Sequence, residues 1–199
     1  TTTYLRGPDA LKMIEHLAVN RFDNFGEDRA RHIVCASPDG YLVSDGIIYN
    51  LGGGTLALVG RQAGHNWIRF NAEQGGWDVS YEADEIFSHN PDGRRSVYRY
   101  QIEGPNAPAL YERLTGSPLP TVPWSQVFPV EIAGHQLQGQ LHTMAGNPGC
   151  EFFGPWEEGP AVKEAILKAG EEFELRRVGS LAYFTNALEL GWIPRPLPA

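Results

Sequence analysis

The chain has 199 residues, 42% of them hydrophobic and 11% aromatic, enough for one globular domain or two small halves and too apolar for a disordered chain. A formal net charge of −8 argues against a nucleic-acid binder, because holding phosphates needs a basic face. No apolar run nears the roughly 18 residues of a membrane span, Thr1 to Leu5 form no leader-like start, and the two cysteines, Cys35 and Cys150, have neither a disulfide framework nor metal-ligand spacing, so a cytoplasmic protein with no metal, nucleic-acid or membrane partner is expected.

In chain order, the first feature is Leu5-Arg6-Gly7-Pro8-Asp9-Ala10, which returns 97 residues later as Ile102-Glu103-Gly104-Pro105-Asn106-Ala107. Each copy reads as a strand end entering a helix, since Pro suits the first helical turn and the preceding Gly permits a tight approach. Ala10, Met13, Ile14 and Leu17 share one face of the first helix, and Ala107, Leu110, Tyr111 and Leu114 one face of the second. Strands are predicted over 31–36, 41–50 and 55–60, separated by Pro38-Asp39-Gly40 and Gly52-Gly53-Gly54. The second half offers strands over 126–133, 135–144 and 150–153, broken at Gly134 and at Gly146-Asn147-Pro148-Gly149. A helix then follows in each half, over 65–74 and 160–169, and after it a glycine and one more short strand. A polar loop over 85–95 links the halves, and prolines force the stretch 192–198 to run extended. The expected fold is α+β: two repeated subdomains, about 1–94 and 95–199, each an antiparallel sheet with helices, packed face to face around a ligand site.

Tyr98-Arg99-Tyr100-Gln101-Ile102-Glu103-Gly104-Pro105-Asn106-Ala107 resembles the Gly-Pro-x-Ala segment of the glycine-cleavage T-protein superfamily, and Gly146 to Glu151 resembles that family's glycine turn before a glutamate. Leu58-Val59-Gly60-Arg61, Met144-Ala145-Gly146, Tyr183-Phe184-Thr185-Asn186-Ala187-Leu188-Glu189 and Gly191-Trp192-Ile193-Pro194 are similar to tetrahydrofolate-dependent vanillate and syringate O-demethylases. The resemblance implies a duplicated folate-binding domain cut from a longer enzyme, with material before Thr1 and a further domain after Ala199. It also implies tetrahydrofolate as the methyl-accepting cosubstrate and a methoxylated aromatic acid as the donor.

Residue by residue, Tyr183 matches the family's catalytic tyrosine, a proton donor to the departing phenolate oxygen, because a phenol suits the acidity of that oxygen. Arg61, with Val59 beside it, matches the substrate-binding positions, the guanidinium gripping a carboxylate through two parallel hydrogen bonds. Glu151 matches the carboxylate facing the pterin edge, while Gln101 and Trp192 match folate-contacting positions. The bland readings are a packed helix tyrosine, a surface salt bridge for Arg61, an exposed strand glutamate and a structural Trp192. Aminomethyl-transferring relatives carry an acidic pair where this chain has Asp45-Gly46, a dipeptide that is also a common turn. That departure puts aminomethyl transfer in doubt. An aminomethyltransferase, a sulfonium demethylase and a non-catalytic folate-binding fragment are the alternatives. The histidines lack ligand spacing and are read as structural or exposed; the doublets Arg94-Arg95 and Arg176-Arg177 could attract the glutamate tail of folate, with solvated charge the default reading.

Overall fold

A computed structural model describes residues 1–85, 90–143, 146–189 and 191. The chain divides into two units, Thr1–Ser96 and Val97–Ala199. The first runs β1 (Thr2–Arg6), α1 (Ala10–Leu17), β2 (Arg29–Ala36), β3 (Leu42–Asn50), β4 (Thr55–Gly60), α2 (Gln62–Gln74) and β5 (Ser80–Asp84). The second runs β6 (Val97–Glu103), α3 (Ala107–Thr115), β7 (Val127–Ile132), β8 (His135–Leu141), β9 (Gly149–Pro155), α4 (Gly159–Gly170) and α5 (Ser180–Glu189).

The two sheets share a plan. In the first the order is β2-β3-β4-β1-β5 and in the second β7-β8-β9-β6, every pair antiparallel, so β1 and β6 occupy equivalent places beside β4 and β9. The repeated glycines carry the equivalence down to single bonds. Gly7 and Gly104 both adopt positive φ, 145° and 125°, a region in which a Cβ would be strained. The Gly7 amide donates to the Gly54 carbonyl at 3.2 Å and the Gly104 amide to the Pro148 carbonyl at 3.0 Å, each tying the turn to the loop before the neighbouring strand. In each copy the glycine carbonyl then accepts from the helix's first amide, Ala10 or Ala107.

Each unit has its own core. Leu5, Met13, Ile14, Ile33, Ile48 and Ile68 are buried in the first, where the helical stripe Ala10, Met13, Ile14 and Leu17 lies inward. Ile102, Leu110, Tyr111, Phe152, Val162 and Ile166 fill the second. Fully burying a side chain of this size contributes roughly 1.5–3 kcal/mol, so these faces fix which side of each sheet the helices cover. The β7–β8 hairpin closes through Ala133 and Gly134, both at positive φ, the primed turn that matches strand twist.

Three expectations need correction. After α4 the second unit has no further strand among its described residues; a 3-10 turn, Glu171–Phe173, leads through Glu174 at φ 55° to α5. The Leu- and Ala-rich run from Ser180 to Glu189, with one β-branched residue, favours a helix there. Asp45-Gly46 is not a turn but lies inside β3, opposite Val34 and Ile33. His142 follows the end of β8 rather than lying on the strand. The extended stretch 192–198 lies outside the described residues.

Candidate active site

Strand β6 supplies the frame. Its residues alternate between faces: Tyr98 and Ile102 are buried in the core, which leaves Arg99, Gln101 and Glu103 on the opposite face. Across the β6–β9 ladder Gln101 is paired with Glu151 and Arg99 with Phe153, and across β8–β9 Glu151 is paired with Gln140. Directly paired residues share a face. The core-distant side of this sheet therefore gathers Arg99, Gln101, Glu103, Gln140 and Glu151.

These side chains bind one another. Arg99 Nη1 lies 3.2 Å from Glu151 Oε1, with its guanidinium over the Phe153 ring at 4.5 Å. Gln101 Nε2 donates to Glu103 Oε2 at 2.9 Å and stands 3.0 Å from His142 Nδ1. Burial holds the His142 ring below the ordinary histidine value against an opposing pull from Glu151, so it is neutral at neutral pH.

A cavity of about 430 Å³ opens beside this network, within the range of roughly 300–1,000 Å³ usual for small-molecule sites. Arg99 through Gly104 line it, together with Lys163, Ile166 and Leu167 of α4, the segment Leu175–Val178, and Tyr183 and Asn186 of α5. Burial first, then the Glu151 and Glu103 carboxylates, raise the Tyr183 hydroxyl above the ordinary tyrosine value. Tyr183, Gln101 and Glu103 thus line one cavity, and Glu151, paired with Gln101 across the ladder, acts on the Tyr183 hydroxyl through its charge. Lys163, Arg176 and Arg177 are exposed at the cavity, and none forms an ion pair among the described residues.

The remaining residues singled out in the sequence lie elsewhere. Val59 is in β4, paired with Thr2 and Ile47, and Arg61 is the exposed N-cap of α2, both in the first unit. Trp192 lies outside the described residues. One charge reading changes: Arg95 is not solvated but pairs with the buried Asp84 at 3.1 Å, whereas Arg176-Arg177 is exposed as expected and borders the cavity. His142 belongs to the polar network, and His32 binds Asp45 at 3.1 Å. Arg99 and Glu103 escape the sequence reading, although their alternation with Tyr98, Tyr100 and Ile102 signals a polar strand face. His142 offers no such periodic signal. Among the described residues no helix is long and apolar enough to cross a membrane, and no group of three or more His, Cys, Asp or Glu is placed to hold a metal.

Residues 1–194 match the GCVT N-terminal domain model. The chain belongs to the GCVT N-terminal domain family. Within that family it is 37% identical over 194 residues to syringate O-demethylase of Sphingobium sp. (strain NBRC 103272 / SYK-6), covering 98% of this chain and 42% of that protein. It is 27% identical over 187 residues to an aminomethyltransferase of Saccharopolyspora erythraea, covering 94% and 49%. Among solved structures, aminomethyltransferase T of the glycine cleavage system from Bartonella henselae superposes with a TM-score of 0.64 at 17% identity, over 83% of this chain and 42% of that one. That agreement establishes the GCVT fold, α+β with two antiparallel sheets. The chain spans less than half the length of these two curated relatives.

Proposed function

We propose that the whole protein is a tetrahydrofolate-dependent O-demethylase, moving the methyl group of a methoxylated aromatic acid such as syringate or vanillate to N5 of tetrahydrofolate. The observation that carries this reading is the convergence of Gln101, Glu151 and Tyr183, three positions matched to the demethylases, on one cavity wall and its adjoining network. The 37% identity to a syringate O-demethylase supports the same branch.

The donor set fits a reduced pterin. Glu151 and Glu103 are hydrogen-bond acceptors when ionised, and a pterin edge offers an amino group beside a ring N–H. Tetrahydrofolate supplies the methyl-accepting nitrogen when bound. The chain's own task is the leaving oxygen. As the bond from methyl carbon to aryl oxygen breaks, the electron pair stays on oxygen, and the Tyr183 hydroxyl donates its proton there to give the phenol. Its raised pKa keeps that proton in place at neutral pH, ready for transfer. Solvent takes the proton given up by the methyl-accepting nitrogen and returns one to Tyr183, so the exchange balances. By the family resemblance alone, Arg61 and Val59 are assigned to the aromatic acid and Trp192 to folate. Two buried free thiols accord with a cytoplasmic setting.

The test is an assay of the full-length protein with tetrahydrofolate and a panel of methyl donors. Stoichiometric 5-methyl-tetrahydrofolate and demethylated aromatic acid are expected. Turnover only with an aminomethyl group on a lipoyl carrier overturns the reading in favour of an aminomethyltransferase. Folate binding without turnover of any donor makes the protein a binding module.

A further inference from the structure

Gln101 can present either end of its amide to a ligand, and the two ends select opposite partners. Its neighbours remove the choice. Glu103, a carboxylate, only accepts hydrogen bonds, so the group 2.9 Å from its Oε2 is the Gln101 NH₂. The second hydrogen of that NH₂ faces His142 Nδ1 at 3.0 Å, which requires a lone pair on Nδ1 and the ring proton on Nε2. Both N–H groups are thereby used within the protein. The carbonyl oxygen, which accepts from no described residue, is what remains for the cavity that Gln101 lines.

His142 is held in place for this by the chain itself. Its backbone amide donates to the Gly149 carbonyl at 3.0 Å. A Cβ on Gly149 would stand 2.6 Å from the Ile102 carbonyl oxygen and 2.8 Å from that of His142, so only glycine lets the three backbones approach this closely.

We propose that His142 is a positioning residue: together with Glu103 it fixes the Gln101 amide with its carbonyl toward the cavity, so that the site selects a ring presenting an N–H donor at that point. The inference rests on the folate reading above and names which end of Gln101 does the recognising.

Two measurements on the full-length protein test it. The first is the ring nitrogen NMR shifts of His142 in the unmutated protein, which report the tautomer without any change to the fold. A proton on Nε2 is expected, and a proton on Nδ1 overturns the proposal. The second is calorimetry with tetrahydrofolate. His142→Leu weakens binding about tenfold, the loss of one oriented hydrogen bond, while His142→Asn, whose carbonyl oxygen falls close to the place of Nδ1, stays within about threefold of the parent. In a Gln101→Ala background His142→Leu changes affinity less than about twofold, because the histidine acts only through Gln101. An equal loss in both backgrounds, or none in either, overturns the proposal. If the unmutated protein does not bind tetrahydrofolate, the folate reading falls instead, and the tautomer still reports on the amide.

Discussion

Glu151 stands directly across the β6–β9 ladder from Gln101, and its carboxylate also acts on the Tyr183 hydroxyl from α5. One residue thus joins the sheet face proposed to recognise a ligand ring to the helix that carries the proposed acid. Through Arg99 at 3.2 Å the same carboxylate is anchored to its own sheet. Rigid strands hold functional groups more tightly than loops do.

Removing the hydroxyl of Tyr183 separates chemistry from binding. Tyr183→Phe in the full-length protein lowers kcat by roughly 10²–10⁴-fold, the usual worth of a general acid, while the tetrahydrofolate dissociation constant changes little. Steady-state kinetics with syringate and calorimetry with tetrahydrofolate read the two quantities. An unchanged kcat removes Tyr183 from the reaction.

Glu151→Gln has two effects that move together. Losing a charged acceptor weakens tetrahydrofolate binding by roughly 10- to 100-fold. The Tyr183 hydroxyl, relieved of a neighbouring negative charge, titrates at lower pH than in the parent, which ultraviolet difference titration against a Tyr183→Phe control detects. A Tyr183 titration that does not move contradicts the shared region.

Tetrahydrofolate carries carboxylates on its glutamate tail, and Lys163, Arg176 and Arg177 line the cavity. Affinity therefore falls as salt is raised. Arg176→Ala with Arg177→Ala weakens binding by about two- to tenfold at low ionic strength and flattens the salt dependence. Identical salt curves for parent and variant place the tail elsewhere.

Stability falls on mild acidification because of His65, fully buried in the first unit and hydrogen-bonded to Thr3. Burial lowers its pKa from 6.5 to about 4. The unfolded chain takes up this proton first, so stability is lost as pH drops from about 6.5 and the loss is complete near the folded value. The contribution is up to roughly 3 kcal/mol. Urea unfolding from pH 7.5 to 4 measures it, and a flat profile in the parent excludes this role for His65.

Much of the architecture was legible because it is written twice. Gly7-Pro8 and Gly104-Pro105 mark the same turn, and the helical stripes after them bury as their spacing indicates. The closing strand expected after α4 failed because helix propensity from Ser180 to Glu189 outweighed the analogy with β5. In the candidate site, motifs singled out Gln101, Glu151 and Tyr183, and the structure places Gln101 and Tyr183 on one cavity with Glu151 paired to Gln101. His142 carried no such signal: its proposed role depends on where one ring nitrogen meets an amide 41 residues away in sequence, and no local pattern encodes that distance.

In the first sheet β5 covers the outer side of β1, whereas among the described residues β6 is the outermost strand of the second. Consecutive residues of a strand point to opposite faces, so a hollow touching Arg99 through Gly104 in unbroken succession reaches round that rim. An occupant of the proposed site would therefore meet residues from both faces of β6, so replacing Gln101 alone removes only part of its contacts.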